Sequence, residues 1–143
     1  MNQLRTAPPP PEARELHLWI LNTGDELREL RASLNKALLD HGSVPHAGLS
    51  DVAERLVLVA TELATNAIRH GRPPTKVRLL CTPQEFVLDV ADHDLGSVPE
   101  LADTRPAGAG GRGLQLALSL SLQVGWYATA GTKHIWATFP VKA

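Results

Sequence analysis

The segment from Ser50 to His70 constrains the fold more than any other part of the chain. Its apolar side chains recur at helical spacing and form one predicted buried stripe: Val52, Leu56, Val59, Leu63 and Ala67. Ser50 is a favourable helix N-cap, and Gly71 follows at a place where helices commonly end. We therefore predict one long amphipathic helix whose apolar side packs against a larger core.

The other segments predict a sheet that covers this helix. Residues 15–21, 77–81, 86–91, 124–130 and 134–140 are predicted strands, and residues 25–41 and 113–122 are predicted helices. The last two strands follow each other directly and should pair antiparallel. The expected fold is an α+β two-layer sandwich, with a mixed, largely antiparallel sheet and helices on one face. Residues 1–13, which contain four consecutive prolines, are predicted to be disordered, and residues 14–143 to form one domain.

Composition excludes several classes of protein. The net charge is −1 with no basic stripe, which argues against nucleic acid as the main partner. Cys81 is the single cysteine, so a disulfide scaffold is excluded. No apolar run approaches the roughly 18 residues of a membrane-spanning helix, and the N-terminus has no apolar signal core. The expected location is the cytoplasm, with no membrane contact.

Two polar residues on the long helix are the first candidates for chemistry. Glu62 and Asn66 are four residues apart and therefore lie on one helix face, with Arg69 near the same face. An amide oxygen suits Mg²⁺, and a carboxylate one turn away can accept a proton. The same pair is also compatible with a plain solvent-facing surface.

Two further segments carry features of a nucleotide site. Asp92 directly follows an apolar strand, where a carboxylate can accept from a ligand amino group, and Gly96 allows close approach of the backbone. Further on, a segment of three glycines, one arginine and one leucine leads into the next predicted helix, where free backbone N–H groups bind phosphate: Gly110, Gly111, Arg112, Gly113 and Leu114. Taken singly, each segment is also compatible with an ordinary turn or loop.

The order of these motifs is similar to that of the GHKL, or Bergerat-fold, ATPases. Within that superfamily the chain resembles the short anti-sigma-factor serine kinases and their actinobacterial relatives. The resemblance covers about residues 14–141 and rests on the stretches VLVATELATNAIRHG, VLDVADHDLGSVP, GGRGLQLALSLSLQVGW and GTKHIWATFP. One departure is Asp94, where relatives often have a small residue.

The resemblance implies a role for each candidate residue. Asn66 would coordinate the Mg²⁺ that bridges the phosphates of ATP, and Arg69 would lie in the nucleotide site. Asp92 would accept from the adenine amino group, Gly96 would lie against the base, and Thr132 would support the adenine through Asp92 or a water. The Gly110–Leu114 segment would wrap the phosphates, and Glu62 would be the base that activates a serine hydroxyl.

These roles lead to a functional hypothesis with two alternatives. The chain would be an ATP-binding regulatory serine/threonine protein kinase that phosphorylates a small antagonist protein of the STAS type and holds a sigma factor. A homodimer surface would lie on the first helix or on the uncovered sheet face. The alternatives are a nucleotide-binding interaction module with little or no phosphoryl transfer, and a detached histidine-kinase catalytic domain.

Overall fold

The computed structural model describes residues 6–42, 47–70, 73–93, 119–129 and 131–141. Five strands and two α-helices account for most of them. The strands are β1 (Arg14–Leu21), β2 (Thr75–Cys81), β3 (Glu85–Asp92), β4 (Gln123–Ala128) and β5 (Lys133–Pro140), and the helices are α1 (Leu27–Gly42) and α2 (Ala47–His70). A short 3-10 helix, Gly24–Glu26, leads into α1.

The five strands form one sheet in the order β1-β2-β3-β5-β4. All four neighbouring pairs are antiparallel. The predicted two-layer α+β fold is confirmed, and the parallel pairing among the described residues is the isolated bridge between Thr6 and Trp126. β3 is the central strand and is buried almost throughout, which agrees with its nearly continuous apolar sequence.

Both helices pack on one face of the sheet, which we call the helix face. The predicted stripe of α2 is buried against β2, β3 and β5 at every position. In α1, Leu30, Leu34 and Leu38 are buried in the same core. The predicted apolar stripe of α2 is therefore confirmed, and α1 buries a stripe of its own in the same core.

The beginning of α2 differs from the prediction. The helix begins at Ala47, so Ser50 lies inside its first turn instead of capping it. A cap signal acts only where the preceding backbone leaves the helix, and Ala47 has a high helix propensity. Of the predicted helix at residues 113–122, Ser119 and Leu120 are helical, and the part before them lies outside the described residues.

The opposite face, which we call the open face, carries no helix among the described residues. Residues 6–13, which we call the N-terminal strap, lie on it instead. The Ala7 N–H donates to the Trp126 carbonyl at 3.0 Å on β4, and the Trp136 indole N–H donates to the Ala7 carbonyl at 2.7 Å. Ala7 and Ala13 pack with Trp136 and its neighbours. Because Ala13 leads directly into β1, the strap crosses the open face from one edge strand to the other. The domain boundary at residue 13 stays a prediction.

The side chains of β1 divide between the two faces. Trp19 packs into the helix-face core, and its indole N–H donates to Ser33 Oγ on α1 at 2.8 Å. Leu18 and Ile20 point to the open face and are 44% and 50% exposed. In the described part of the chain, no helix is long and apolar enough to span a membrane.

Candidate functional site

The C-terminal end of α2 lies close to one end of the sheet. Only four residues separate His70, at the end of α2, from Thr75, at the start of β2. A link this short spans at most about 17 Å. The same end of the sheet carries the last residue of β3, Asp92, and the first residue of β5, Lys133, which are register partners. Residues one turn or so before the end of α2 are thereby held near this end of the sheet.

Three sequence-predicted residues lie on that part of α2. Glu62 and Asn66 are partly buried, while Arg69 is exposed. Their neighbours Leu63 and Ala67 are buried in the helix-face core. The pair Glu62 and Asn66 thus flanks the stripe that packs on the sheet, which is a setting for a ligand at the edge of the core.

Asp92 lies on the same side of the sheet as α2. Val90, two residues earlier, is part of the helix-face core, and side chains alternate along a strand. Asp92 is only 6% exposed, so its carboxylate is held in a largely dehydrated place at the end of β3. Lys133 opposite it is also buried. A buried carboxylate is an acceptor without donors of its own, which suits a ligand amino group.

Thr132 belongs to the turn between β4 and β5. The Thr129 N–H donates to the Thr132 carbonyl at 2.8 Å and closes this turn. The hydroxyls of Thr129 and Thr132 are hydrogen-bonded to each other. The Thr132 hydroxyl also contacts Nε2 of His134 at 2.7 Å. Thr132 is therefore fixed one residue before Lys133, at the end of the sheet that carries Asp92.

A buried polar network on the open face supports this turn. Asp89, in the middle of β3, is fully buried and lies opposite Trp136 of β5. Three side chains contact its carboxylate: Arg78 Nη2 at 3.2 Å, the Tyr127 hydroxyl at 3.1 Å and His134 Nδ1 at 2.8 Å. In a neutral His134, the Nδ1–H donates to Asp89 and Nε2 then accepts from Thr132. The carboxylate thus orients the imidazole that holds the turn.

The network also changes the acidity of Tyr127. Burial, followed by the nearby Asp89 carboxylate, raises the pKa of Tyr127 to about 12. Its ring stacks on His134 with the ring centres 4.4 Å apart. The phenol therefore stays protonated and donates to Asp89 throughout the physiological range of pH.

Sequence reasoning did not find this network. Asp89 lies 11 residues from Arg78, 38 from Tyr127 and 45 from His134 along the chain. The available signal was a single charged residue in the apolar strand FVLDVA, because a buried charge requires partners. That signal identifies Asp89 and does not identify the partners.

The remaining predicted site residues lie outside the described residues. These are Gly96, Gly110, Gly111, Arg112, Gly113 and Leu114. The structure brings the carboxylate of Asp92 and the turn of Thr132 to one end of the sheet. Glu62 and Asn66 lie on α2, whose C-terminal end is connected to the same end of the sheet by four residues. Within the described ranges, no group of three or more His, Cys, Asp or Glu side chains could hold a metal ion.

The two-layer fold, the polar face of α2 and the buried carboxylate at the end of β3 are together the features expected of a nucleotide-binding domain. The family model of the histidine kinase-like ATPase domain matches residues 21–139, and the chain belongs to this family. The predicted membership of the GHKL superfamily is thereby confirmed. An ATPase domain implies that ATP is the ligand.

A solved structure has a similar fold. The crystal structure of the RsbU and RsbW domains of Rv1364c from Mycobacterium tuberculosis matches with a TM-score of 0.59 and 17% sequence identity. The match covers 87% of this chain and 32% of that chain, so this chain spans about a third of that protein's length. At this identity the likeness shows the fold alone. Comparison with the curated proteins gives no match.

Proposed function

We propose that the chain binds ATP with Mg²⁺ between α2 and the end of β3, and transfers the γ-phosphoryl group to a serine of a small antagonist protein. The observation that carries the proposal is the position of Asp92. Its carboxylate is buried on the helix face at the last residue of the central strand. This is the end of the sheet to which the short connection from the end of α2 leads. An acceptor in this place is suited to the adenine amino group, and the phosphates would extend toward Asn66 and the Gly110–Leu114 segment.

The donor set on α2 fits Mg²⁺ better than a tightly caged metal. Mg²⁺ usually takes one or two protein oxygens and completes its shell with water and phosphate oxygens. Asn66 supplies one such oxygen, and the described residues contain no cluster of three acidic, His or Cys side chains. When bound, the ion would neutralise charge on the phosphates. Arg69 adds a positive charge on the same part of the helix.

Glu62 is the proposed general base. It would accept the proton of the substrate serine while the serine oxygen forms a bond to the γ-phosphorus and the bond from that phosphorus to the bridging oxygen breaks, which releases ADP. This reaction depends mainly on positioning and charge neutralisation, so few protein groups are needed. Glu62 lies one helical turn before Asn66, and this spacing would place the base beside the phosphates.

The proposed partners are a STAS-type antagonist, a sigma factor and a second copy of the chain. The exposed Leu18 and Ile20 give β1 an apolar strip on the open face, and Leu39 is exposed on α1. A protein contact at the strip would bury this surface. We expect Ile20→Lys to shift the chain from dimer to monomer in light scattering, and Leu39→Lys to test the alternative surface on α1.

Calorimetric titration with ATP and Mg²⁺ tests the nucleotide site. Asn66→Ala should weaken binding about tenfold or more, because a metal ligand and its electrostatic contribution are lost. Asn35 is an exposed amide on α1, so Asn35→Ala is a matched control that should bind like the wild type. Equal binding by Asn66→Ala and the wild type would overturn the metal assignment.

The kinase reaction requires a separate test. Glu62→Gln should keep ATP binding and abolish transfer of labelled γ-phosphate to the antagonist. Glu54 is exposed on the same helix, and Glu54→Gln should transfer at the wild-type rate. ATP binding by the wild type without transfer to any antagonist that it binds would favour the interaction module instead.

A further inference from the structure

The end of the sheet under α2 carries one more polar side chain on the helix face, that of Thr75. It is two residues before Val77, which belongs to the helix-face core, and it pairs with the buried Leu21 of β1. Lys76 pairs with Ala91, so Thr75 lies one step further along and is the lateral neighbour of Asp92. Neighbouring residues on paired strands have Cα atoms about 4.5–5.5 Å apart. The side chains of Thr75 and Asp92 therefore lie next to each other on the helix face of the sheet.

The Thr75 hydroxyl has a buried position without a hydrogen bond. Thr75 is 0% exposed, and its Oγ1 contacts no partner among the residues that the structure describes. A buried hydroxyl without a partner costs on the order of 1–3 kcal/mol. The neighbouring His93, directly after Asp92, has a buried Nδ1 in the same condition. Two buried polar atoms that lack partners thus lie at the end of the sheet where the nucleotide is proposed to bind.

We propose that the Thr75 hydroxyl is a second contact to the adenine base, beside Asp92, and that it favours ATP over GTP. This inference rests on the proposed nucleotide site. Adenine presents an amino donor with a ring-nitrogen acceptor next to it on either side, whereas guanine presents a carbonyl acceptor in place of the amino group. Asp92 offers an acceptor, and the hydroxyl of Thr75 offers a donor. This acceptor–donor pair matches adenine and leaves the guanine carbonyl opposed to a carboxylate.

The side-chain chemistry separates this role from simple packing. Valine has nearly the shape of threonine and fills the same volume without the hydroxyl. Thr75→Val should therefore leave the free protein as stable as the wild type or make it more stable, because a buried group without a partner is removed. If the hydroxyl serves the ligand, the same substitution must weaken nucleotide binding. Opposite effects on stability and on affinity are the signature of a ligand contact.

Thr138 provides a matched control. It is also 0% exposed, and its Oγ1 likewise has no partner among the described residues. Thr138 pairs with Val87, which is packed on the open face, so its side chain points away from α2. Thr138→Val removes the same chemical group from a buried position of another strand, β5, on the other face of the sheet.

The experiment measures the affinity for ATP and for GTP, each with Mg²⁺, by calorimetric titration. The proteins compared are the wild type, Thr75→Val, Thr75→Ser and Thr138→Val. Thermal unfolding of each protein without nucleotide measures its stability. We expect Thr75→Val to weaken ATP binding about tenfold, the loss of one hydrogen bond, and to reduce the preference for ATP over GTP. Thr75→Ser keeps the hydroxyl and should bind within about threefold of the wild type. Thr138→Val should bind like the wild type. If Thr75→Val folds poorly, Thr75→Ala replaces it in the comparison with Thr75→Ser.

Each contrary result has a distinct meaning. If the wild type binds ATP and Thr75→Val binds it with the same affinity, the proposed role of Thr75 is overturned and the proposed function stays intact. Equal losses in Thr75→Ser and Thr75→Val, or an equal loss in Thr138→Val, would assign the effect to packing and overturn the inference. No binding of ATP by the folded wild type would overturn the proposed function and the role of Thr75 together.

Discussion

The two faces of the sheet bury their central strand by different means. On the helix face, the apolar side chains of α1 and α2 pack with those of the sheet in one core. Leu56 of α2 and Leu88 of β3 are examples. On the open face, the N-terminal strap covers a smaller apolar group around Trp136, and beside it lies the charged carboxylate of Asp89. One face is closed mainly by the hydrophobic effect and the other by a set of polar contacts.

The two faces also differ in how their buried polar groups are supplied with hydrogen-bond partners. The Asp89 carboxylate is supplied with three donors from the chain itself, so it requires no ligand. The hydroxyl of Thr75, on the other face, has no such partner in the described residues. Lack of a partner does not by itself indicate a binding site, because the Thr138 hydroxyl on the open face also lacks one in the described residues. Thr75 differs from Thr138 in lying beside the buried Asp92 at the end of the sheet.

Removal of the Asp89 carboxylate should have the largest effect on stability. Asp89→Ala leaves Arg78 partly buried without its main counter-charge, and the Tyr127 and His134 donors lose their shared acceptor. Loss of one partner of a buried ion pair costs about 3–5 kcal/mol. Urea unfolding should show a drop in the free energy of unfolding of this order.

The control for Asp89→Ala lies in the same network. Glu15 contacts Arg78 at 3.4 Å from a side chain that is 46% exposed. Exposed ion pairs contribute about 0–1 kcal/mol, so Glu15→Ala should change stability little. Similar losses in the two variants would contradict the contrast between a buried and an exposed carboxylate.

A steric test of the open face comes second in size. A Cβ added at Gly125 would lie 2.6 Å from Cζ2 of the Trp136 indole, which crosses directly over this residue. Gly125→Val should therefore displace the indole from the strap and cost about 1–3 kcal/mol in the free energy of unfolding. A Cβ at Gly131 meets nothing within 4 Å, so Gly131→Ala is the control and should stay within about 0.5 kcal/mol of the wild type. A well-tolerated Gly125→Val would show that the indole is not confined there.

The helix face was predictable from the sequence, and the open face was not. The α2 stripe has a helical period that needs no knowledge of distant residues, so the helices and their buried sides could be inferred. The position of the strap could not be inferred, because the four prolines from Pro8 to Pro11 show no helical or strand periodicity. The strap is held by Trp136, which is more than a hundred residues away in the sequence. The same holds for the network: a lone Asp89 in an apolar strand predicts that partners exist and cannot identify them. For the site, Asp92 follows from its place after an apolar strand and Thr132 from the family resemblance, and both roles stay predictions. Thr75 is noticeable only once register and burial are known.

Tyr127 gives a smaller effect with a specific pH dependence. Tyr127→Phe removes one hydrogen bond to Asp89 and should cost about 1 kcal/mol at neutral pH. Because burial raises the pKa of Tyr127 to about 12, its stabilising contribution is fully present below the ordinary value near 10 and is lost as the pH rises through about 12. The stability difference between the wild type and Tyr127→Phe should therefore shrink over that window.

The pKa of Tyr127 can also be measured directly. Tyr127 is the only tyrosine in the chain, so tyrosinate absorbance reports this residue alone. The folded protein should titrate near 12 and the urea-unfolded protein near 10. Identical titration of the two forms would contradict the burial of the phenol beside Asp89.

The smallest predicted effect on stability is that of an exposed carboxylate, Glu26, in contrast with the buried Asp89. Glu26, at the entrance to α1, accepts from the Asn22 N–H at 2.7 Å and the Thr23 N–H at 3.1 Å and completes a capping box with Thr23. These backbone hydrogen bonds, first that of Asn22, lower the pKa of Glu26 below its ordinary value. The stabilisation is therefore present above the ordinary pKa of a glutamate and is lost as the pH falls through the lowered value. Glu26→Gln should lower the Tm by less than about 5 °C at neutral pH, and the difference should vanish in acid. A loss as large as that of Asp89→Ala would show that exposure does not set the contribution of a carboxylate in this fold.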